Sequence, residues 1–329
     1  MPVWVKPVFI VLLLIGLGVL LQQLPLAAMM QRLADLAWWQ WPLWLGLNLL
    51  LLHLATLRWW LFLTHFAPFS FYRLLVIRQA GQVVNMLTPG PQVGGEPLQL
   101  YWLARQHLSL SKCLVALGLD RLLELGINLS VLALGLVLLL DSRFNQLVSP
   151  VLPGASWLLM LPVAALLLWW CWQPGWLADR CAPLMAKWRA HPRLAAYMNT
   201  SDQSLLTILR SLLQTPTLWL AGIGLSLGVW VLVLSELALL LQMVNVQLTV
   251  DEFVLLALAL RLAQFVPVPA GLGALEAAVF GACALLDLSA ATAGSLILLM
   301  RCRDLALILG GFICLRWVER MPNGFAQST

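Results

Sequence analysis

Charge is what this sequence has least of. Lysine, arginine, aspartate and glutamate make up 10% of its 329 residues, against about 25% in an ordinary soluble domain. That scarcity excludes a water-soluble fold, because too few side chains remain to face water. Histidine occurs four times, at 53, 65, 107 and 191, scattered too widely to suggest a zinc site. Six cysteines (113, 171, 181, 283, 302 and 314) contain no C-x-x-C pair. In or beside apolar helices, such thiols read as small buried hydrophobes. No acidic D-x-x-D cluster stands in a loop, so the metal-holding constellation expected of an intramembrane glycosyl- or phospho-lipid transferase is missing. The sequence therefore points to no catalytic residue, no metal site, no cofactor and no enzymatic activity.

What is present is apolar. Hydrophobic residues make up 62% of the chain and its mean hydropathy is +0.91. Long runs recur at 11–21, 43–63, 114–140, 158–170, 218–241 and 290–314, and a membrane span needs roughly 20 such residues. The expectation is an all-α integral membrane protein. The net charge of +5 reports loop placement rather than nucleic-acid binding. The polar connection 173–216 holds Arg180, Lys187, Arg189, Arg193 and Arg210 against Asp179 and Asp202. By the positive-inside rule that connection is cytoplasmic, as are both termini. The expected location is the inner (cytoplasmic) membrane. Trp38, Trp39, Trp41 and Trp44, and Trp169, Trp170 and Trp172, read as interfacial belts. Arg58, beside Trp59 and Trp60, reads as a snorkelling anchor at a helix end. The first run, after Lys6, is long for a signal peptide and reads as a span.

Two stretches fit no plain span. "RQAGQVVNMLTPGPQVGGEPLQL" begins at Arg78, and "RLAQFVPVPAGLGALEAAV" begins at Arg261. Each runs Arg-x-Ala, apolar residues, Pro-x-Pro, two glycines, then a glutamate opening a new helix. Proline in a helix interior removes a hydrogen bond and clashes with the preceding turn. Pro89 lies 7 residues before Glu96, and Pro269 lies 7 before Glu276. Arg121 follows Glu96 by 25 residues, and Arg301 follows Glu276 by 25. Loop-charge parity requires the first broken segment to return to the cytoplasm and the second to enter from the opposite face. The expected architecture is thus about six full transmembrane helices plus two broken or re-entrant hairpins, arranged as an inverted repeat. It forms one membrane domain over 1–329: a first half 1–172, a cytoplasmic connection 173–216 and a second half 217–329.

Inverted repeats with discontinuous helices place a transport site at their interface. Helix amino termini near Pro97 and Leu272 favour an anion. Gly94, Gly95, Gly271 and Gly273 let a ligand or another backbone come close. Glu96 and Glu276 either stabilise their own helix starts or pair with intramembrane arginines. Asp120, Glu124 and Asn128 recur every four residues as one helical stripe. With Arg78, Arg121, Arg261, Arg301, Arg303, Asp304 and Glu236, they form either a self-neutralising network or the walls of a headgroup site.

These residues resemble a known family, the flippase-type transmembrane region of lysylphosphatidylglycerol synthases, in a stand-alone form without the synthase domain. The carrying motifs are "NMLTPGPQVGGEPLQLYWL" with "LDRLLEL", and "FVPVPAGLGALEAAV" with "LLMRCRDL". The resemblance spans nearly the whole chain. It implies movement of amino-acylated or other anionic phospholipids between leaflets. It carries over to Pro89, Gly94, Gly95, Glu96, Asp120 and Arg121, and to Pro269, Gly271, Gly273, Glu276 and Arg301. The 173–216 connection is far too short for an aminoacyl-transferase domain. The expected partner is a membrane lipid; nucleic acid is not expected, and a homo-oligomer or a lipid-synthesis enzyme stays open. Two other readings compete: transport of a polyprenyl-phosphate-linked or other glycolipid precursor, and a non-transporting accessory subunit. The latter predicts a lipid-facing seam of small residues, for which "AGIGLSLG" (221–228) offers a small-xxx-small pattern or else internal packing.

Overall fold

A computed structural model describes residues 36–87, 94–106, 108–141, 215–266, 268 and 271–321. The runs 11–21 and 158–170, Pro89, Pro269, the tryptophans at 169–172 and nearly all of the 173–216 connection lie outside the described residues. Among the described residues there are eight helices and no strand. They are α1 (Gln40–Thr64), α2 (Phe71–Leu87), α3 (Glu96–Arg105), α4 (Leu110–Asp141), α5 (Pro216–Met243), α6 (Val250–Ala263), α7 (Ala274–Leu285) and α8 (Ala290–Arg320). Their lengths run long, short, short, long, and then repeat: 25, 17, 10 and 32 residues, then 28, 14, 12 and 31. Both predicted breaks therefore fall between paired short helices.

Local chemistry sets these boundaries. Pro97 sits in the first turn of α3, where its missing N–H costs nothing. The Thr249 N–H donates to Glu252 Oε2 at 2.7 Å at the start of α6, and Ser289 Oγ accepts from the Thr292 N–H at 3.2 Å at the start of α8. Gly271 and Gly273, with φ of 63° and 85°, form the entry to α7; in that region a Cβ is strained.

Helices α1, α4 and α5 are each long and apolar enough to cross a membrane. Leu134, Leu220, Val231, Leu309, Ile313 and Trp317 face outward from long helices, an arrangement suited to a hydrocarbon solvent. Trp38, Trp39 and Trp41 are exposed before or at the start of α1, whereas Trp44 turns inward. Two apolar cores hold the bundle. One is built on Trp59, Phe62, Leu74, Ile77, Leu103 and Leu110, joined by Leu218 of α5 and Val318 of α8. The other is built on Leu240, Met243, Leu256, Val279, Leu296 and Leu299, joined by Trp44 of α1. The sets interlock: α1 packs on α5, α2 on α8 and α4 on α6.

Small residues enable the close crossings. Gly222 of α5 turns towards Phe62 and Leu123, and a Cβ there would meet both at 3.0 Å. Gly222, Ser226 and Trp230 are all buried, so this face of the 221–228 stretch packs internally. A Cβ on Gly311 of α8 would strike Val83 of α2, and one on Gly95 would strike the Gly81 carbonyl. Gly95 therefore serves a backbone approach.

Candidate functional site

The polar side chains of the first four helices gather around α4. Arg58 is the main departure from the sequence reading, because it is no interfacial anchor. Its side chain is 2% exposed, Nε lies 2.6 Å from Asp120 Oδ1 and Nη2 lies 2.7 Å from Glu124 Oε2. A further bond runs from Nη1 to Ser226 Oγ at 3.2 Å. The reason is rotational: position 58 lies on the face of α1 that meets α4 and α5, so the guanidinium points inward. Arg78 donates to the Ala55 carbonyl at 2.9 Å and stands 3.5 Å from Asp120 Oδ2. Arg121 Nη1 donates to Glu124 Oε2 at 3.1 Å. Its Nε lies 2.8 Å from Glu96 Oε1, an ion pair. Asn128, the third member of the stripe, accepts from Trp230 Nε1 at 2.9 Å.

The second set repeats the pattern. Arg301 donates through Nε and Nη2 to Glu276 Oε1 at 2.8 and 2.5 Å, and through Nη1 to Asp304 Oδ2 at 3.0 Å. Each break glutamate thus meets the arginine 25 residues on, and each arginine meets an acid three residues further. Glu276 also accepts from the Gly273 N–H at 2.8 Å, so it stabilises its own helix start and an arginine together. Arg303 spans Glu236, both of whose oxygens lie at 3.2 Å, and Asp304 Oδ1 at 3.0 Å from Nη2. Asn48 of α1 donates to the same Glu236 at 3.1 Å. Arg261 lies with its guanidinium carbon 4.6 Å from the centre of the Trp230 ring and donates to Gln264 Oε1 at 3.0 Å.

Each set therefore holds three arginines and three carboxylates: Arg58, Arg78 and Arg121 with Glu96, Asp120 and Glu124, then Arg261, Arg301 and Arg303 with Glu236, Glu276 and Asp304. Balance of this kind is what buried ionisable groups require in an apolar surround.

A cavity of about 330 Å³ opens beside the second cluster. Arg261, Gly271, Arg303 and Asp304 line it, as does Glu236. Arg301 stands behind that wall, with Nη2 3.4 Å from the Gly271 carbonyl. Glu276 and Gly273 do not line it. Arg78, Gly94, Gly95, Glu96, Asp120, Arg121 and Glu124 belong to the other cluster and do not line this cavity. Gly95 donates its N–H to Asn85 Oδ1 at 2.5 Å.

Sequence reasoning missed several lining groups: Asn48 on α1, Gln82 and Asn85 on α2, and Trp230 on α5. Their signal was available, since an amide inside an apolar helix needs a partner or a wet cavity. Because α1 and α2 share the lining with α5, α6, α7 and α8, the cavity lies at the junction of the two sets. Its size is that of a small-ligand site, with guanidinium, carboxylate and amide groups along an otherwise apolar wall.

Comparison with known proteins gives one match. The family model described as the lysylphosphatidylglycerol synthase TM region matches residues 3–311. Neither a curated protein nor a solved structure matches the chain.

Proposed function

The chain belongs to the lysylphosphatidylglycerol synthase transmembrane-region family, and from that premise we propose that it moves a phosphate-bearing lipid between the leaflets of the inner membrane. The lipid class is an anionic or amino-acylated phospholipid, and the activity is that of a flippase or scramblase without a covalent step. The observation that carries this reading is the charged cavity of about 330 Å³ at the junction of the two helix sets, bordered by the Gly271 break. Irregular backbone at membrane depth persists where protein buries it or where it lines a water-filled cavity. A headgroup occupying that space would exchange water for guanidinium and amide groups while its acyl chains stay in the bilayer.

The repeated long–short–short–long order supports an inverted pair of halves. So does the reciprocal packing, in which each closing long helix touches the other set's second helix, α8 on α2 and α4 on α6. In this reading both termini and the basic 173–216 connection are cytoplasmic, following loop charge. In the 221–228 stretch Gly222 and Ser226 are used for internal packing, while Ala221 and Gly224 stay exposed.

The test is lipid movement in proteoliposomes containing a fluorescent phosphatidylglycerol, with protein-free vesicles as the baseline. Ala257 lines the cavity, and Ala257→Trp fills much of it. The expected result is movement above baseline for the natural chain and at least a tenfold slower rate for the variant. Equal rates for the two proteins refute the placement of the path, and movement at baseline for the natural chain refutes the activity.

A further inference from the structure

The second helix of each set carries an arginine at a matching place, Arg78 in "RQA" and Arg261 in "RLA". Their environments differ. Arg78 is buried, bonds the Ala55 carbonyl and has the Asp120 carboxylate 3.5 Å away. Arg261 has no carboxylate within ion-pair distance among the described residues. Its partners are the Gln264 amide and the Trp230 face.

One substitution between the sets accounts for the difference. Arg121 and Arg301 occupy the same place after their break glutamates, so the residue before each is also equivalent: Asp120 in the first set, Met300 in the second. Met300 is buried and lines the same cavity as Arg261. Where the first set supplies a carboxylate to its arginine, the second supplies a thioether, which offers a guanidinium almost nothing. Arg301 and Arg303 do not substitute for Arg261, because each is held by two acids.

We propose that Arg261 is the anion-binding group of the cavity, left available by methionine at position 300, and that its ligand is a phosphate presented by a lipid headgroup. The guanidinium carbon lies 4.6 Å from the centre of the Trp230 ring, a contact with the π face that consumes no N–H donor. One of five N–H donors is used, by Gln264. The remaining edge has the fork geometry that meets two phosphate oxygens at once. An aspartate at position 300 would reproduce the first set's arrangement and close the site by occupying the arginine from within.

The inference rests on the cavity receiving a phosphate headgroup, but binding and movement are separate measurements. The full chain in phosphatidylcholine nanodiscs is titrated with labelled dioctanoyl-phosphatidylglycerol, and separately with inorganic phosphate as competitor. Arg261→Gln and Met300→Asp are each expected to weaken lipid binding at least tenfold. Met300→Asn, of the same size and uncharged, is expected to bind at least fivefold more tightly than Met300→Asp. Arg261→Lys keeps the charge without the fork and is expected to fall between Arg261→Gln and the natural chain. It decides the matter should Met300→Asp not stay monodisperse.

Undiminished binding in Arg261→Gln or Met300→Asp overturns the inference. So does equal loss in Met300→Asp and Met300→Asn, or no difference between Arg261→Lys and Arg261→Gln. Displacement of the lipid by inorganic phosphate at comparable affinity supports the grip and identifies free phosphate as its source; no displacement identifies the lipid. Loss of binding with natural rates of lipid movement leaves the grip intact and sinks the translocation path. Natural binding with lost movement does the reverse.

Discussion

Replacing Arg58 with methionine separates an interior ion pair from an interfacial anchor. Arg58 is 2% exposed and Asp120 0% exposed, and their contact of 2.6 Å is supported by Glu124 at 2.7 Å and Ser226 at 3.2 Å. Removing the arginine leaves Asp120 with only Arg78 at 3.5 Å. Breaking one side of a buried pair costs about 3–5 kcal/mol, because the surviving charge stays desolvated. Glu124, 34% exposed, recovers solvation and adds little, so about 3 kcal/mol is the expected loss. Arg58→Met with Asp120→Leu removes both charges and is expected to recover more than half of it. The assay is unfolding of the purified protein in mixed micelles by a denaturing detergent, followed by loss of helical signal for both single variants and the double. An anchor at the membrane surface would behave differently: Arg58→Met would change stability by less than about 1 kcal/mol, and the double variant would be additive. That outcome refutes the interior pairing.

Two further perturbations follow from the same geometry. Gly95→Ala places a Cβ against the Gly81 carbonyl, and is expected to destabilise by about 2 kcal/mol as α2 and α3 are forced apart. Gly273→Ala meets no neighbour but has φ of 85°, so a cost of about 1–2 kcal/mol from backbone strain alone is expected. Detergent unfolding checks both, and a larger loss for Gly273→Ala than for Gly95→Ala contradicts the close-approach argument. Arg301→Ala leaves Glu276 with its Gly273 N–H and Asp304 with Arg303, so both stranded acids keep a partner. The expected loss is therefore about 2 kcal/mol, below the range for a fully orphaned buried charge. A loss above 4 kcal/mol would show that Arg301 carries its cluster alone.

The parts of the fold that were legible in the sequence are those encoded by neighbours along the chain. Apolar runs at 43–63, 114–140 and 218–241 mark α1, α4 and α5 to within a few residues. The Pro/Gly punctuation marks both breaks because proline and glycine act on their own backbone. The interval of 25 residues was also legible, since it recurs, and it resolves into the Glu96–Arg121 and Glu276–Arg301 contacts. Arg58 was misread for the opposite reason. Its partners lie 62 and 66 residues away, while its immediate neighbours, Trp59 and Trp60, imitate a membrane-interface belt. Trp59 is in fact fully buried, and the Trp60 indole donates to the Phe69 carbonyl at 2.7 Å.

The cavity was still less legible, because an unfilled space is a property of six helices at once. No single helix states it, and the amides that line it are spaced like ordinary polar residues. What two helix sets with the same order and the same glutamate–arginine spacing offer instead is an internal control. Two sets built on the same punctuation place equivalent arginines in equivalent positions, so local sequence cannot explain why Arg78 is committed and Arg261 is not. The explanation has to sit where the copies differ, and the difference is Asp120 against Met300. Burying an arginine against a carboxylate stabilises a scaffold; burying one against a thioether and an indole face costs stability unless something else occupies the open edge. The less satisfied copy is therefore the one whose geometry calls for a ligand.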